Sequence, residues 1–287
     1  MVRQAQELAC TLNGFDCIVA TTSGIAFALA LCRKKGQITV PIVAIQCGLL
    51  NYPYNYLKTF FTGMLLPYLD NIFFGQGELY PVGKKFPSVR EQLSVCQYGI
   101  DTQFWCKADR GRGDYILSVG NDGRRDFDCL LAAAKHISCE IKILTARPMP
   151  DTLPDNVTLL RSDWHDQRLT DTDLRKLYQE AMCVVLPIVE TFQPSGQSVA
   201  LQAMACGTAV VITETLGFWE PDAYRDGENI LYCRQGDPED LAEKVNALLD
   251  SKDFMEMLSE NGWLTVNKNS TIDKFSACIE LHCLKSL

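Results

Sequence analysis

The segment Cys183–Thr213 reads CVVLPIVETFQPSGQSVALQAMACGTAVVIT and carries the clearest fold signal in the chain. Its two ends, Cys183 to Pro187 and Ala209 to Thr213, are short apolar runs rich in valine, which is typical of buried strands. The residues from Gly196 to Ala205 between them have the composition of a helix. A strand–helix–strand unit of this kind predicts parallel strands in an α/β fold.

The same alternation extends to both sides of this segment between residues 115 and 249. Further strands are predicted at Tyr115 to Val119, Glu140 to Thr145, Val157 to Leu160 and Asn229 to Tyr232. Further helices are predicted at Asp126 to His136, Asp171 to Ala181 and Pro238 to Leu249. Together they indicate a nearly complete doubly wound, Rossmann-like domain.

The first third of the chain alternates in the same way but is shorter. Strands are predicted at Phe15 to Ala20, Val40 to Cys47, Asn71 to Phe74 and Ser94 to Tyr98, with a helix at Ser23 to Arg33 and a Gly/Pro-rich loop at Gly75 to Arg90. This first part of the chain begins with a helix, and no Gly-rich turn follows its first strand. We therefore expect a pared-down or truncated domain.

These patterns give three predicted regions, with a polar linker at residues 107–114. Residues 1–107 form an incomplete first Rossmann-like domain, and residues 108–265 form the second, ligand-binding one. Residues 266–287 form a final helix that packs back on the first domain. The predicted fold class is therefore α/β with two Rossmann-like domains.

The composition indicates which kinds of partner the protein binds and in which cellular compartment it resides. The formal net charge of -8 argues against a nucleic-acid-binding protein, which usually has a basic surface. The 13 cysteines stand singly without a C-x-x-C pair, so we expect reduced, mostly buried thiols and no zinc cluster. No signal peptide is identified, and a cytoplasmic protein is predicted.

The apolar stretch from Gly48 to Leu69 is the one membrane candidate. It is interrupted by two prolines, two asparagines and a lysine, so it cannot be a spanning helix. An aromatic-rich helix packed on a sheet is the favoured interpretation. Peripheral contact with a membrane surface stays open as the alternative.

Two turns that follow predicted strands have the chemistry to bind phosphate. The first is Ser118-Val-Gly-Asn-Asp-Gly-Arg-Arg-Asp126, where glycines permit a tight turn and two arginines supply fixed positive charge. The candidate residues here are Gly120, Asn121, Arg124 and Arg125. A solvated loop with ordinary surface arginines is the alternative.

The second turn is the start of the helix after Pro194. Ser195, Gly196, Gln197 and Ser198 are expected to present backbone N–H groups at the positive end of the helix dipole, which suits an anion. A serine-capped structural helix is the alternative. Since both turns follow parallel strands of one domain, they are expected to lie at one edge of the sheet.

The sequence shows no clear residues for binding a metal ion or a cofactor. His136, His165 and His282 lack a partner at metal-ligand spacing, and no Asp-x-Asp pair is assigned to a cation. We therefore expect metal-independent chemistry without a cofactor, in which Arg and backbone dipoles stabilise a charged leaving group.

In order along the chain, several segments resemble the retaining GT-B glycosyltransferases of family 4, known as glycosyl transferases group 1. The resemblance lies in Ser118 to Gly120 with Arg125 to Leu131, in Asp173 to Tyr178, in Leu201 to Val211 and in Gly236 to Leu241. Gln97 to Phe104 is similar to the segment that leads into that family's domain linker.

The resemblance implies two Rossmann-like domains around a cleft and a nucleotide sugar held by the second domain. It implies that Arg125 contacts the donor diphosphate, that residues 195–198 bind phosphates and that Gln202 contacts the ribose. The family's paired glutamates fall on Pro194 and Gln202, so the catalytic residue is unassigned, with Glu190 as the nearby candidate.

Function is predicted as retaining transfer of a sugar from a nucleoside diphosphate sugar to an unknown acceptor, which is a glycan, a lipid or a small molecule. Two other functions stay open. One is a non-catalytic nucleotide-sugar-binding subunit or a fragment of a longer enzyme. The other is a sugar-nucleotide epimerase of the same fold.

Overall fold

The computed structural model describes residues 1–50, 55–108, 111–161 and 169–287. Asp109 and Arg110 of the predicted linker, residues 51–54 of the apolar stretch and His165 lie outside them. The described chain forms two parallel sheets, each with helices packed against it.

The first sheet has four parallel strands in sequential order: β1 (Ile18–Ala20), β2 (Ile42–Gln46), β3 (Asp70–Phe73) and β4 (Leu93–Val95). Its helices are α1 (Val2–Leu12), α2 (Ser23–Lys34), α3 (Tyr56–Leu65) and α4 (Gln76–Lys85). Short 3-10 helices occupy Leu66–Tyr68 and Pro87–Gln92. All four predicted strands are present; β1, β2 and β4 are shorter than predicted, and β3 begins and ends one residue earlier.

The second sheet has six parallel strands in the order β10-β9-β8-β5-β6-β7. They are β5 (Tyr115–Val119), β6 (Glu140–Leu144), β7 (Val157–Leu160), β8 (Cys183–Leu186), β9 (Ala209–Thr213) and β10 (Leu231–Cys233). Every residue of β5, β8 and β9 is buried, because helices cover both faces of the sheet.

The helices of this second half are α5 (Phe127–Ala134), α6 (Asp171–Glu180), α7 (Gln197–Ala205), α8 (Pro238–Asp250), α9 (Lys252–Asn269) and α10 (Ile272–Ser286). The prediction of two Rossmann-like α/β units is thus confirmed as a fold class. Side chains that start or cap a helix account for several boundaries. Thr170 and Asp173, for example, form a capping box at the start of α6.

The loop predicted at Gly75 to Arg90 is wrong for most of its length, since α4 occupies Gln76–Lys85. Glycine and proline suggested a loop, but Pro81 lies inside the helix. The helix buries Glu78, Val82 and Gly83 against the first sheet and its neighbours. Tertiary burial outweighs the low helix propensity of these residues.

The helix expected in the apolar stretch is present as α3, but it is not packed on a sheet by its aromatic side. It buries Thr62 and Leu65. Tyr56, Leu57, Phe60 and Phe61 stay 53–83% exposed. In the described ranges, no helix is both long and apolar enough to cross a membrane.

Helix α10 returns from the second half of the chain to the first sheet. Phe275 contacts the rings of Phe74 and Tyr98, with centroids 6.1 and 5.7 Å away. The segment that leads into α10 runs beside the segment that links the two sheets. Ile100 N donates to Ser270 O at 3.0 Å, and Ile272 N donates to Ile100 O at 2.8 Å.

The expectation of single thiols is wrong at one place. Cys96 of the first half and Cys278 of α10 pair, with Cα atoms 6.2 Å apart, within the span of a disulfide. They are 182 residues apart in sequence, so no local spacing could indicate the pair. The other eleven cysteines are free.

Candidate functional site

The order of the second sheet places a crevice between β5 and β8. The strands on either side of this point are reached by connections that run in opposite directions, which is where open α/β sheets bind ligands. The loop after β5 and the loop after β8 are the two segments that the sequence marked for phosphate. The structure brings them together at one edge.

Backbone contacts join the two loops directly. Val189 N donates to Arg124 O at 3.0 Å, and Asp126 N donates to Pro187 O at 2.9 Å. Arg125 and Ile188 form an isolated antiparallel bridge. The loops therefore form one rigid rim at the carboxyl end of the sheet.

Arg125 lies under this rim and is 5% exposed. Its Nε donates to Val119 O at 2.9 Å, and its Nη1 pairs with Asp122 Oδ2 at 2.8 Å. Burial lowers the pKa of Arg125 and the Asp122 carboxylate opposes that shift. A Cβ atom on Gly120 would lie 2.3 Å from Arg125 Nε, so the glycine makes room for the guanidinium.

Two further arginines at the same edge were not identified from the sequence. Arg147, just after β6, donates from Nη1 to Arg125 O at 2.7 Å and to Asp122 O at 3.2 Å. Arg161, after β7, donates to Arg147 O. With Arg124 and Arg125 they concentrate positive charge at the rim. Only the pairing of β5 with β6, which no local motif reveals, places Arg147 there.

The start of α7 faces the same crevice. Gly196 caps the helix with φ +80°, a left-handed conformation that favours glycine. The side chains of Ser195 and Gln197 are buried, and Ser195 Oγ and Gln197 Nε2 have no hydrogen-bond partner in the described structure. Buried polar atoms are normally paired, so these two are candidates for contact with a ligand.

The expectation of four free amides at this helix start needs a correction. Ser195 N donates to Gln193 O at 2.7 Å, and Gln197 N donates to Pro194 O at 3.3 Å. The left-handed turn at Gly196 bends the chain so that these two amides are satisfied inside it. In the described part of the chain, the amides of Gly196 and Ser198 have no such backbone acceptor.

Gln202 is half-buried, and Tyr178 Oη donates to its Oε1 at 3.4 Å, a long contact. Tyr178 is fully buried, which raises its pKa, while the nearby Arg125 lowers it in part. Tyr178 thus lies between Gln202 and Arg125.

Glu190 and Asn121 brace the loops of the rim. Glu190 is exposed, and its Oε1 accepts the N–H groups of Thr191 and Leu216 at 2.9 and 3.0 Å. Asn121 Oδ1 accepts the N–H of Ala146 at 2.6 Å, which ties the loop after β5 to the loop after β6. Both side chains fix loop geometry where the sequence suggested ligand contact.

The first sheet lies against this rim across a narrow contact. Gln193 Nε2 donates to Cys47 Sγ at 3.5 Å, and a Cβ on Gly77 would lie 2.0 Å from Leu216 O. Glu78, beside Cys47, is 1% exposed and accepts the N–H of Leu49 at 2.5 Å. Burial raises the pKa of Glu78 to about 7. It was missed because its helix was predicted as a loop.

Two Asp-x-Asp spacings occur in the chain, and the structure gives each a helix-capping role. Asp126 Oδ1 accepts Cys129 N at 3.1 Å at the start of α5, with Asp128 in the first turn. Asp171 and Asp173 begin α6. Over the ranges that the structure describes, no group of three or more His, Cys, Asp or Glu side chains could hold a metal ion.

The second half of the chain is similar to known proteins. Residues 113–251 match the model of the family described as glycosyl transferases group 1. The chain is 29% identical over 196 residues to alpha-maltose-1-phosphate synthase of Mycobacterium tuberculosis. This alignment covers 57% of this chain and 49% of that protein. The Mycolicibacterium smegmatis enzyme of the same name is 27% identical over 194 residues. The chain spans about half the length of these curated relatives.

Solved structures share the fold over nearly the whole chain. HepE from Anabaena, in complex with UDP and glucose, superposes with a TM-score of 0.79 at 14% identity and covers 99% of this chain and 82% of that one. A glycosyltransferase from Rickettsia africae superposes with a TM-score of 0.78 at 12% identity, covering 99% and 81%. These likenesses establish the fold with two Rossmann-like domains, known as GT-B.

Proposed function

From the match of residues 113–251 to the glycosyl transferases group 1 family, we propose that this chain transfers a hexose from a nucleoside diphosphate sugar to an acceptor. We further propose that the reaction retains the anomeric configuration and needs no metal ion. The nucleotide occupies the crevice between β5 and β8.

The single observation that supports this proposal most is the joined rim of the two loops. It combines a group of four arginines, at positions 124, 125, 147 and 161, with the start of a buried helix. Guanidinium groups and the positive end of a helix dipole both stabilise phosphate oxygens. A diphosphate is the leaving group that gains negative charge during transfer, so the same groups lower the barrier.

Each candidate residue has a distinct proposed role. Arg124 and Arg147 contact the diphosphate, while Arg125 holds the loop and supplies charge from below. Gly196 and Ser198 donate backbone N–H groups to phosphate oxygens, and Ser195 and Gln197 donate from their unpaired side-chain atoms. Gln202 accepts from a ribose hydroxyl.

Calorimetry with a panel of nucleotides tests the proposal. HepE is known with UDP and with UDP-glucose, so the panel begins with UDP, UDP-glucose and UMP and extends to the adenine and guanine series. We expect at least one diphosphate to bind at least about 10-fold more tightly than its monophosphate, because the rim recognises the second phosphate. If no diphosphate binds, the site is misassigned.

The same titrations with a chelator test the metal-independent part. Equal affinity with and without chelator supports it. Binding or turnover that requires magnesium or manganese would contradict it and would direct attention to Asp126 and Asp128 beside the rim.

A second function, a nucleotide-sugar-binding subunit without turnover, is supported by Pro194 and Gln202. These residues stand where the resemblance places paired glutamates, and Pro194 is buried. Hydrolysis or transfer from a bound donor distinguishes the two functions. A chain that binds the donor tightly and releases no sugar with any acceptor is the binding subunit.

A further inference from the structure

Helix α3 presents an apolar face to solvent, while Thr62 is buried on its opposite side. Tyr56, Leu57, Phe60 and Phe61 are 83, 63, 55 and 53% exposed. At 100° per residue they fall within an arc of about 140°, so they form one continuous face. Thr62, on the opposite side, is 5% exposed. An exposed apolar patch of this kind marks an interaction surface.

The charge around this face has the opposite sign to that of the whole protein. Residues 1–100 contain eight Lys and Arg against five Asp and Glu, whereas the rest of the chain contains 19 against 30. One of the five acidic residues, Glu78, is buried. The first half is therefore a basic region on a protein of net charge -8.

Basic residues lie on two sides of the C-terminal part of α3. Arg33 Nη1 donates to Tyr68 O at 3.2 Å, and Lys34 Nζ lies 5.3 Å from the Tyr68 ring centroid, in the 3-10 helix that continues α3. On the other side, Lys84 and Lys85 precede Phe86, whose ring lies 3.4 Å from a Cβ placed on Gly63 of α3. Aromatic side chains between basic ones suit the interface of an anionic bilayer.

We propose that the face of Tyr56, Leu57, Phe60 and Phe61, with the flanking Arg33, Lys34, Lys84 and Lys85, docks the protein on the surface of a membrane that contains anionic lipids. Helix α3 has 10 residues, too few to span the hydrocarbon core, so it lies in the plane of the interface. The aromatic rings enter the headgroup region and the basic side chains contact lipid phosphates. A surface of this chemistry fits a lipid bilayer better than a second copy, because two copies would bring the basic residues together.

Vesicle sedimentation with the full chain tests the proposal. Vesicles of phosphatidylcholine alone are compared with vesicles that contain about a third phosphatidylglycerol. The wild-type chain is expected to bind the anionic vesicles at least about 10-fold more tightly, and the difference should shrink at high salt because the charges are exposed.

Variants separate the apolar and electrostatic contributions. Phe60→Ser with Phe61→Ser, and independently Tyr56→Ser with Leu57→Ser, should each reduce vesicle binding at least about 10-fold. Lys34→Glu with Lys84→Glu should reduce binding to the anionic vesicles alone. Leu264→Ser is the matched control, since Leu264 is 51% exposed on α9 in the acidic half. It should bind like the wild type, and thermal melting should show that all variants are folded.

Three outcomes would overturn the proposal. The first is a wild-type chain that sediments with neither kind of vesicle. The second is binding that survives both serine double variants. The third is light scattering that shows a wild-type dimer, monomeric serine variants and no vesicle binding, which would assign the face to a second copy of the chain.

Discussion

Arg125 has a structural role that can be separated from its charge. Its contacts with Val119 O and Asp122 are both buried or half-buried. Arg125→Ala removes the partner of the Val119 carbonyl and of Asp122 Oδ2, so we expect the free energy of unfolding to fall by about 1–3 kcal/mol. Urea unfolding measures the loss, and Arg124→Ala is the control. Arg124→Ala should weaken nucleotide binding with a smaller stability loss; equal losses in both variants would contradict this role.

Gln202 is half-buried, and among the residues that the structure describes its amide oxygen accepts one long hydrogen bond, from Tyr178, so it has capacity for a ribose hydroxyl. Gln202→Ala should cost about 0.5–1.5 kcal/mol of nucleotide affinity, and Gln202→Glu should retain or improve it. Calorimetry with the diphosphate gives the affinity and melting gives the stability. A loss of stability in either variant without any change in affinity would remove Gln202 from the site.

Glu220 should make stability depend on pH near neutrality. It is 9% exposed, neither carboxyl oxygen has a hydrogen-bond partner in the described structure, and burial raises its pKa from 4.5 to about 7. The folded state therefore favours the protonated form. Its contribution to stability is greatest below pH 4.5 and is lost as the pH rises to about 7.

Glu220→Gln should remove that dependence. We expect the variant to exceed the wild type in unfolding free energy by about 1–3 kcal/mol at about pH 8, after allowance for solvent screening, and to differ little at about pH 5. Urea unfolding of the variant and the wild type at the two pH values measures this difference in unfolding free energy. Glu78 titrates in the same range and stays in the variant, so a residual slope is expected. A variant that is less stable at the higher pH would show that Glu220 has a partner.

At the scale of elements, α7 depends on the left-handed turn at its start. Gly196 has φ +80°, and a Cβ there would lie 2.8 Å from Ile188 Cδ1. Gly196→Ala should therefore lower the unfolding free energy by about 1–3 kcal/mol and weaken diphosphate binding. The control is Gly123→Ala in the neighbouring loop, where nothing lies within 4 Å. Equal effects of the two substitutions would contradict the role of Gly196 in starting α7.

Helices and strands that are marked by a pattern in their own residues were predicted well. Strands β5, β7 and β9 have the predicted bounds. In β5 and β9, which are buried on both faces, a continuous apolar run marks the strand. Helix α4 was missed, because its stability comes from packing and its glycines and proline indicate a loop. In the site, the two loops were found from glycine, arginine and a helix start. Arg147, Glu78 and Tyr178 were not, since only the strand order and tertiary contacts bring them to the rim.

At the scale of the whole molecule, the predicted boundary at residues 107–108 separates two residues from the core that they help to form. Ile100 and Trp105 are 4 and 7% exposed within the core of the second sheet. Arg175 Nη1 and Gln179 Nε2 also donate to Phe104 O and Cys106 O, at 2.9 and 2.7 Å. The second half is therefore expected to need the segment from Gln97 onward.

Two fragments test this expectation. The fragment from Gln97 to Leu287 should exceed the one from Asp109 to Leu287 in unfolding free energy by about 3 kcal/mol or more, as loss of a buried tryptophan alone costs this much. Denaturant unfolding gives the difference, and calorimetry shows whether each folded fragment binds a nucleoside diphosphate. Equal stability would place Trp105 outside the second core. A folded fragment without nucleotide affinity would place the donor site elsewhere.

The chain crosses between its two halves twice, at Gly99 to Asp101 and at Ser270 to Ile272, and the crossings touch. A Cβ on Gly99 would lie 2.2 Å from Thr271 O, so the backbones are as close as glycine allows. Adjacent covalent links act as a common axis. Rotation about that axis changes the separation of the first sheet from the rim without stretching either link, whereas translation of one half away from the other extends both. The path of the backbone therefore favours rotation of the halves about this axis over their separation.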